Sequence, residues 1–152
     1  MNYRILIAAD HGGYALKEEI KKFTFDNLNI EWTDLGTHSD ESVDFPDYAN
    51  VLSQKLKNDD YDYGVLICRS GIGMSIAANR YPHIRAAVCS DTTMAKYTRI
   101  DNDANVLCLG GSLNGVRTIE DIIYTFLTTS FSGDNDPNGR HARRVEKLGG
   151  CA

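Results

Sequence analysis

Long hydrophobic runs are missing from this sequence. The longest near its start, Ile5 to Ala9, is stopped by Asp10. That is too short for a signal-peptide core or a membrane span, so the chain is expected in the cytoplasm with no membrane partner. Positive charge is also in short supply. Sixteen Lys and Arg face 21 Asp and Glu, a net charge of −5 that offers nucleic acid and anionic lipid no general attraction. An anionic ligand then needs a local site that works against the global field. The four cysteines, Cys68, Cys89, Cys108 and Cys151, form no C-x-x-C pair, and the four histidines form no cluster. No metal site is expected, and with no export signal the thiols are expected to stay reduced. Two phosphate-binding motifs are absent as well: G-x-G-x-x-G lacks its last glycine at Ile76, and no G-x-x-x-x-G-K-[ST] occurs. A Cys-x5-Arg phosphatase loop fails at Met74.

What is present is an ordinary globular composition in 152 residues, 42% apolar and 24% charged. That length suits one domain, 1–152, with a core burying roughly 70% of the unfolded surface. Neither repeats nor low-complexity tracts interrupt it. One polar stretch, Ser132 to Gly139, reads as a surface excursion before a last helix that starts near Arg140.

Five β-leaning runs recur: Arg4–Ala9, Ile30–Leu35, Tyr63–Cys68, Ile84–Cys89 and Asn105–Leu109. Several are apolar throughout rather than alternating, which suits strands buried on both faces of a parallel sheet. Between them Leu16, Ile20 and Phe23 share a helical face, as do Tyr48, Val51, Leu52 and Leu56. Ile119, Ile122, Ile123, Phe126 and Leu127 follow helical spacing most closely. The expected fold is a single three-layer α/β/α domain, Rossmann-like, on a five-stranded parallel sheet. Ligands of such sheets sit beyond the carboxyl ends of the strands.

The first strand ends in Asp10-His11-Gly12-Gly13. This pair either holds hydroxyls or a phosphate, or is a helix-capping aspartate beside a solvated imidazole. The third ends in Cys68-Arg69-Ser70-Gly71-Ile72-Gly73-Met74-Ser75. Here a thiol precedes small residues and a helix start, where backbone N–H groups favour anions and a thiolate. The plainer alternative is a buried small apolar cysteine, the reading given to Cys89 and Cys108. Arg140 and Arg144, four apart, present two guanidiniums to one phosphate or to solvent. His38 and His83 read as surface residues in turns, and Asp101 beside Asp103 as a loop residue.

With Asp44-Phe45-Pro46-Asp47-Tyr48-Ala49, the block Cys68 to Asn79 and Gly139-Arg140-His141, the chain resembles the ribose-5-phosphate isomerase type B family, which is related to galactose-6-phosphate isomerase subunits. The resemblance runs from the first strand to the last helix. It implies interconversion of ribose 5-phosphate and ribulose 5-phosphate through an enediolate, with no cofactor. By matching position it makes Cys68 the base, puts Ser70 beside the reacting oxygens, and forms an anion hole from the N–H groups of Gly71, Ile72 and Gly73. Asn102 also stabilises the enediolate, Asp10 holds sugar hydroxyls, and His11, Arg140 and Arg144 hold the phosphate. It further implies a homodimer, or a dimer of dimers, with sites built from both subunits and the helix from about 140 contributing.

Four positions depart from the family pattern: Arg69 for a glycine, Phe45 for a tyrosine, Ser112 for a phosphate-side arginine, and Asp101 for the ring-opening histidine. Arg69 is assigned to the phosphate in place of the arginine missing at Ser112. Asp101 is assigned to ring opening as hydrogen-bond acceptor or base, because a carboxylate titrating near about 4 is a poor acid at neutral pH. Two other functions stay open: isomerisation of a six-carbon sugar phosphate, and a catalytically silent sugar-phosphate-binding paralogue.

Overall fold

The computed structural model describes residues 1–57 and 60–149. Cys151 lies outside them. The five strands are β1 (Asn2–Ala9), β2 (Asn29–Asp34), β3 (Tyr63–Cys68), β4 (Ala86–Val88) and β5 (Val106–Gly110). They pair in parallel in the order β2-β1-β3-β5-β4. The order reverses between β1 and β3, and a reversal of this kind leaves a crevice at the carboxyl ends.

Period-two alternation sorts the strand residues onto two faces. Ile5, Ile7, Ala9, Val65, Ile67, Leu107 and Leu109 meet α1 (Tyr14–Ile20), α4 (Thr92–Asn102) and α5 (Val116–Thr128). Leu6, Ala8, Leu66, Cys68, Val106 and Cys108 meet α2 (Phe45–Lys55) and α3 (Ile72–Ala78) on the other side. The apolar stripe of α5, Ile119 to Leu127, is wholly buried, each such side chain worth about 1.5–3 kcal/mol. A last helix, α6 (Arg140–Gly149), follows a short 3₁₀ turn at Ser132–Asn135 and packs on α4. No helix among the described residues is long and apolar enough to cross a membrane.

Several boundaries differ from expectation. α1 ends at Ile20, so Phe23 lies in the turn beyond it, still packed on the same core. β4 keeps only three residues, because it is an edge strand paired to β5 alone; Ile84 and Cys89 are buried just outside it. His83 is half-buried rather than on the surface, its Nε2 2.8 Å from the Ser53 carbonyl. Asp101 and Asn102 belong to the last turn of α4 and not to a loop. That helix buries Ala95, Thr98 and Arg99 instead of large aliphatic residues. Asp91 caps its start by accepting from the Met94 N–H at 2.8 Å. Asp103 closes it in the left-handed region, φ 47°, gripped by Arg99 at 2.7 Å and Arg85 at 3.0 Å.

Candidate active site

Three loops meet beyond the carboxyl ends of β1, β3 and β5. They are in backbone contact: the Asp10 N–H donates to the Ile67 carbonyl, Gly111 N–H to Cys68, and Ser112 N–H to Arg69. The glycines allow this approach. A Cβ on Gly13 would stand 2.5 Å from the Ile67 oxygen, and one on Gly111 2.4 Å from the Gly12 oxygen. Gly71 adopts φ +77°, a region that favours glycine, with Leu109 backbone 3.0 Å from where its Cβ would be.

Asp10 is buried, and its Oδ1 accepts from the N–H groups of Gly12 and Gly13 at 2.9 and 3.2 Å. It therefore closes the turn into α1, while the N-cap position itself is held by Gly13 with no side-chain cap. His11 is exposed, and its Nδ1 accepts from the Val43 N–H at 3.2 Å, which puts the proton of a neutral ring on Nε2. Cys68 is buried at the end of β3, and the Gly71 N–H points at its Sγ from 3.1 Å. Ser70 Oγ accepts from the Ile72 N–H at 3.3 Å. Gly73 lies under the Phe45 ring, which a Cβ there would meet at 3.0 Å. Arg69 is exposed beside Ser112, the two residues joined through backbone. Asp10, His11, Cys68, Arg69, Ser70, Gly71, Ile72 and Gly73 are thus gathered at one end of the sheet.

The other two thiols are placed otherwise. Burial, and then the charge of Asp91, pushes Cys89 up to about 12. Burial, and then neighbouring Cys68 and Cys89, raises Cys108 well above the ordinary thiol range.

Asp101, Asn102, Arg140 and Arg144 are not part of that cluster. The register sets Cys68 beside Gly110 and Gly64 beside Val106, so β5 alone separates the two ends by about 13 Å. Asn102 precedes β5 by four residues, at the far end. There Asp101, Asn102 and Arg144 line a cavity of about 280 Å³ with His141, Val145 and Leu148. Arg140 Nε lies 3.3 Å from His141 Nε2 and 3.8 Å from the Asp136 carboxylate. Among the described residues no group of three or more His, Cys, Asp and Glu could hold a metal ion.

Two features were absent from the residue-level reading. His141, taken only as part of a basic helix, faces Asp101 with its Nδ1 3.6 Å from Oδ1. Its side chain is 13% exposed. Nothing in the sequence around Asp101 points to α6, some forty residues further along the chain. Lys17 is fully buried and paired with Asp34 at 2.6 Å and Glu18 at 2.7 Å. A lysine within an amphipathic helix gives no sign of that.

A family model described as Ribose/Galactose Isomerase matches residues 5–148. The chain is 37% identical over 145 residues to ribose-5-phosphate isomerase B of Escherichia coli, covering 95% of this chain and 93% of the relative. Among solved structures, a ribose 5-phosphate isomerase from Thermotoga maritima superposes with a TM-score of 0.88 at 44% identity, covering 97% of this chain and 98% of that one. The type B ribose 5-phosphate isomerase of Trypanosoma brucei gives a TM-score of 0.88 at 41% identity, covering 100% of both. Similarity of this extent, in sequence and in fold, assigns the chain: it belongs to the Ribose/Galactose Isomerase family and is an isomerase.

Proposed function

We propose that this isomerase interconverts ribose 5-phosphate and ribulose 5-phosphate, moving a proton between C1 and C2 through an enediolate with Cys68 as the base. The observation that carries the reading is the Gly71 N–H held 3.1 Å from Cys68 Sγ, at the end of a central strand where three glycine-bearing loops meet. A thiolate accepts such a hydrogen bond better than a thiol does. Proton abstraction next to a carbonyl needs a base beside C–H and donors where negative charge develops on oxygen. Ser70 and the N–H groups of Gly71, Ile72 and Gly73 serve as those donors. The first turn of α3 leaves N–H groups without intrahelical carbonyls, which favours that use. Asp10 holds sugar hydroxyls.

Asn102 steadies the enediolate, Asp101 takes part in ring opening as acceptor or base, and Arg140 and Arg144 bind the phosphate with His11 and Arg69. In one chain these residues divide between opposite ends of the sheet. A complete site therefore takes Cys68 from one copy and Asn102 with α6 from a second. We infer a homodimer of single-domain chains, 1–152, with no cofactor. The test is an assay of purified protein with ribose 5-phosphate, and with galactose 6-phosphate as the six-carbon competitor, following ketose formation. Turnover of the pentose that disappears in Cys68→Ala supports the reading. Faster turnover of the hexose, or none of either, overturns it.

A further inference from the structure

We propose that His141 carries the proton that opens the furanose ring, and that Asp101 acts through it as a positioning residue. This rests on the isomerase reading and goes past it by naming the acid. Ribose 5-phosphate exists mainly as a furanose, and isomerisation needs the open aldehyde. Opening requires one group that removes the proton from O1 and returns a proton to the ring oxygen O4. A carboxylate is by its ordinary pKa about two units less basic than imidazole and draws the O1 proton less strongly, so it is the poorer shuttle for this step. Imidazole does both near neutrality.

The geometry singles out one imidazole. Of the four histidines, His11 comes to a shared site from the Cys68 end of the other copy, but its Nδ1 lone pair is taken by the Val43 N–H and a neutral ring has only a donor left at Nε2. His38 is exposed on the loop after β2, and His83 is tied to the Ser53 carbonyl. His141 alone faces the cavity that Asn102 and Arg144 line. Its Nδ1 is buried and has no hydrogen-bond partner within ordinary reach, yet it lies 3.6 Å from the Asp101 carboxylate. A buried ring nitrogen without a partner is costly unless something uses it. On the other edge of the ring, Nε2 accepts from Arg140 Nε at 3.3 Å. The neutral ring is therefore protonated at Nδ1, toward Asp101, and has its lone pair at Nε2. The groups facing it are Asp101 from α4, Asp136 from the preceding loop, and Arg140 and Arg144 on its own helix. Arg140 is more than half exposed, free to turn to the phosphate and leave Nε2 to the sugar.

The step then balances with one proton. Nε2 takes it from O1–H while C1–O1 becomes the carbonyl. The C1–O4 bond breaks with its electron pair left on O4, and the imidazolium gives the same proton to O4. Asp101 orients the ring and faces the transient positive charge, the role a carboxylate plays behind a catalytic histidine.

The test separates ring opening from isomerisation. Ribulose 5-phosphate cannot close to a furanose, so exchange of its C1 proton with D₂O reports the enediolate step alone. In His141→Asn and in His141→Gln, which keeps an N–H for Asp101, kcat with ribose 5-phosphate should fall about 100-fold or more. Exchange from ribulose 5-phosphate should stay within about threefold, which also shows that the variants fold. Asp101→Asn should lower kcat with ribose 5-phosphate rather than raise KM, and the double variant should lose no more than His141→Asn. Equal losses in both reactions, a change in KM alone, or no loss overturns the inference while leaving an active isomerase. A wild-type protein inert toward both sugars overturns the isomerase reading itself, and the inference with it.

Discussion

The Nζ of Lys17 lies 2.6 Å from the carboxylate of Asp34, and no part of that lysine side chain reaches solvent. Lys21 meets the same oxygen at 2.6 Å, and the Gly36 N–H donates to the other at 2.9 Å. Gly36 in turn accepts from the Ala9 N–H at 2.7 Å, one residue before Asp10. An ion pair between α1 and β2 thus braces the strand end that presents Asp10.

Acid should undo this brace in a defined window. Burial pushes Asp34 up, but the hydrogen bonds from Lys17, Lys21 and Gly36 outweigh it and hold the carboxyl at about 2, below its ordinary 3.8. The folded value is the lower one. The contribution is therefore complete above about pH 4 and is lost as pH falls through about 2. Taken at face value it is about 2 kcal/mol, and solvent screening brings it nearer about 1. Urea unfolding of wild type and Asp34→Asn should differ most near neutral pH, and the two curves should converge below about pH 2. A gap that persists unchanged at that pH would remove the ion pair from the account.

The thiols should separate in a labelling experiment. With Cys89 at about 12, its thiolate fraction at pH 8 is about a thousandfold below that of a free cysteine, and Cys108 is deeper still. In a Cys151→Ser background, iodoacetamide followed by peptide mass spectrometry should find the label on Cys68. Ribose 5-phosphate should protect it. Labelling of Cys89 at the same rate would contradict the placement of that thiol.

Glycine substitutions should sort by the atoms a new Cβ would meet. Gly111→Ala puts carbon 2.4 Å from the Gly12 oxygen, a backbone atom that cannot rotate away. The β1 and β5 loops must part, at a cost of about 1–3 kcal/mol, lowering Tm by about 3–10 °C. Gly115→Ala, with nothing within 4 Å and φ −69°, should leave Tm unchanged or raise it slightly. Thermal unfolding of both variants checks this, and equal Tm values would refute the claim that the three loops are in fixed contact.

The sheet and α5 were legible because their buried residues are aliphatic and their spacing matches one period. α4 was not. Its inward face is Ala95, Thr98 and Arg99, and the arginine is buried by stacking 5.0 Å from the Tyr63 ring and 5.6 Å from Phe126 while paired to Asp103. Such a face carries little hydrophobic signal, so Asp101 read as loop. The residues around Cys68 were legible because one strand end and the loop after it hold most of them. The approach of His141 to Asp101 depends on how α6 packs on α4, a long-range relation that neither segment states.

The division of the site should show itself in hybrids. Arg140→Ala and Arg144→Ala each remove a charge-assisted contact to phosphate, about 1.5–3 kcal/mol, and should raise KM about 10- to 100-fold. The double variant is then nearly silent at low substrate, and Cys68→Ala is silent for want of a base. If each site takes Cys68 from one copy and α6 from the other, the two variants repair one another. In a two-fold dimer, a hybrid pairs both defects at one site and leaves the second intact. Equal amounts unfolded and refolded together give half hybrids, hence about a quarter of wild-type activity from two inactive proteins. Each protein refolded alone should stay inactive. A mixture that stays inactive despite forming hybrids, shown by tagging one partner and recovering both, would place Cys68 and α6 of the same chain in one site. A protein that sediments as a monomer while turning over ribose 5-phosphate would do the same.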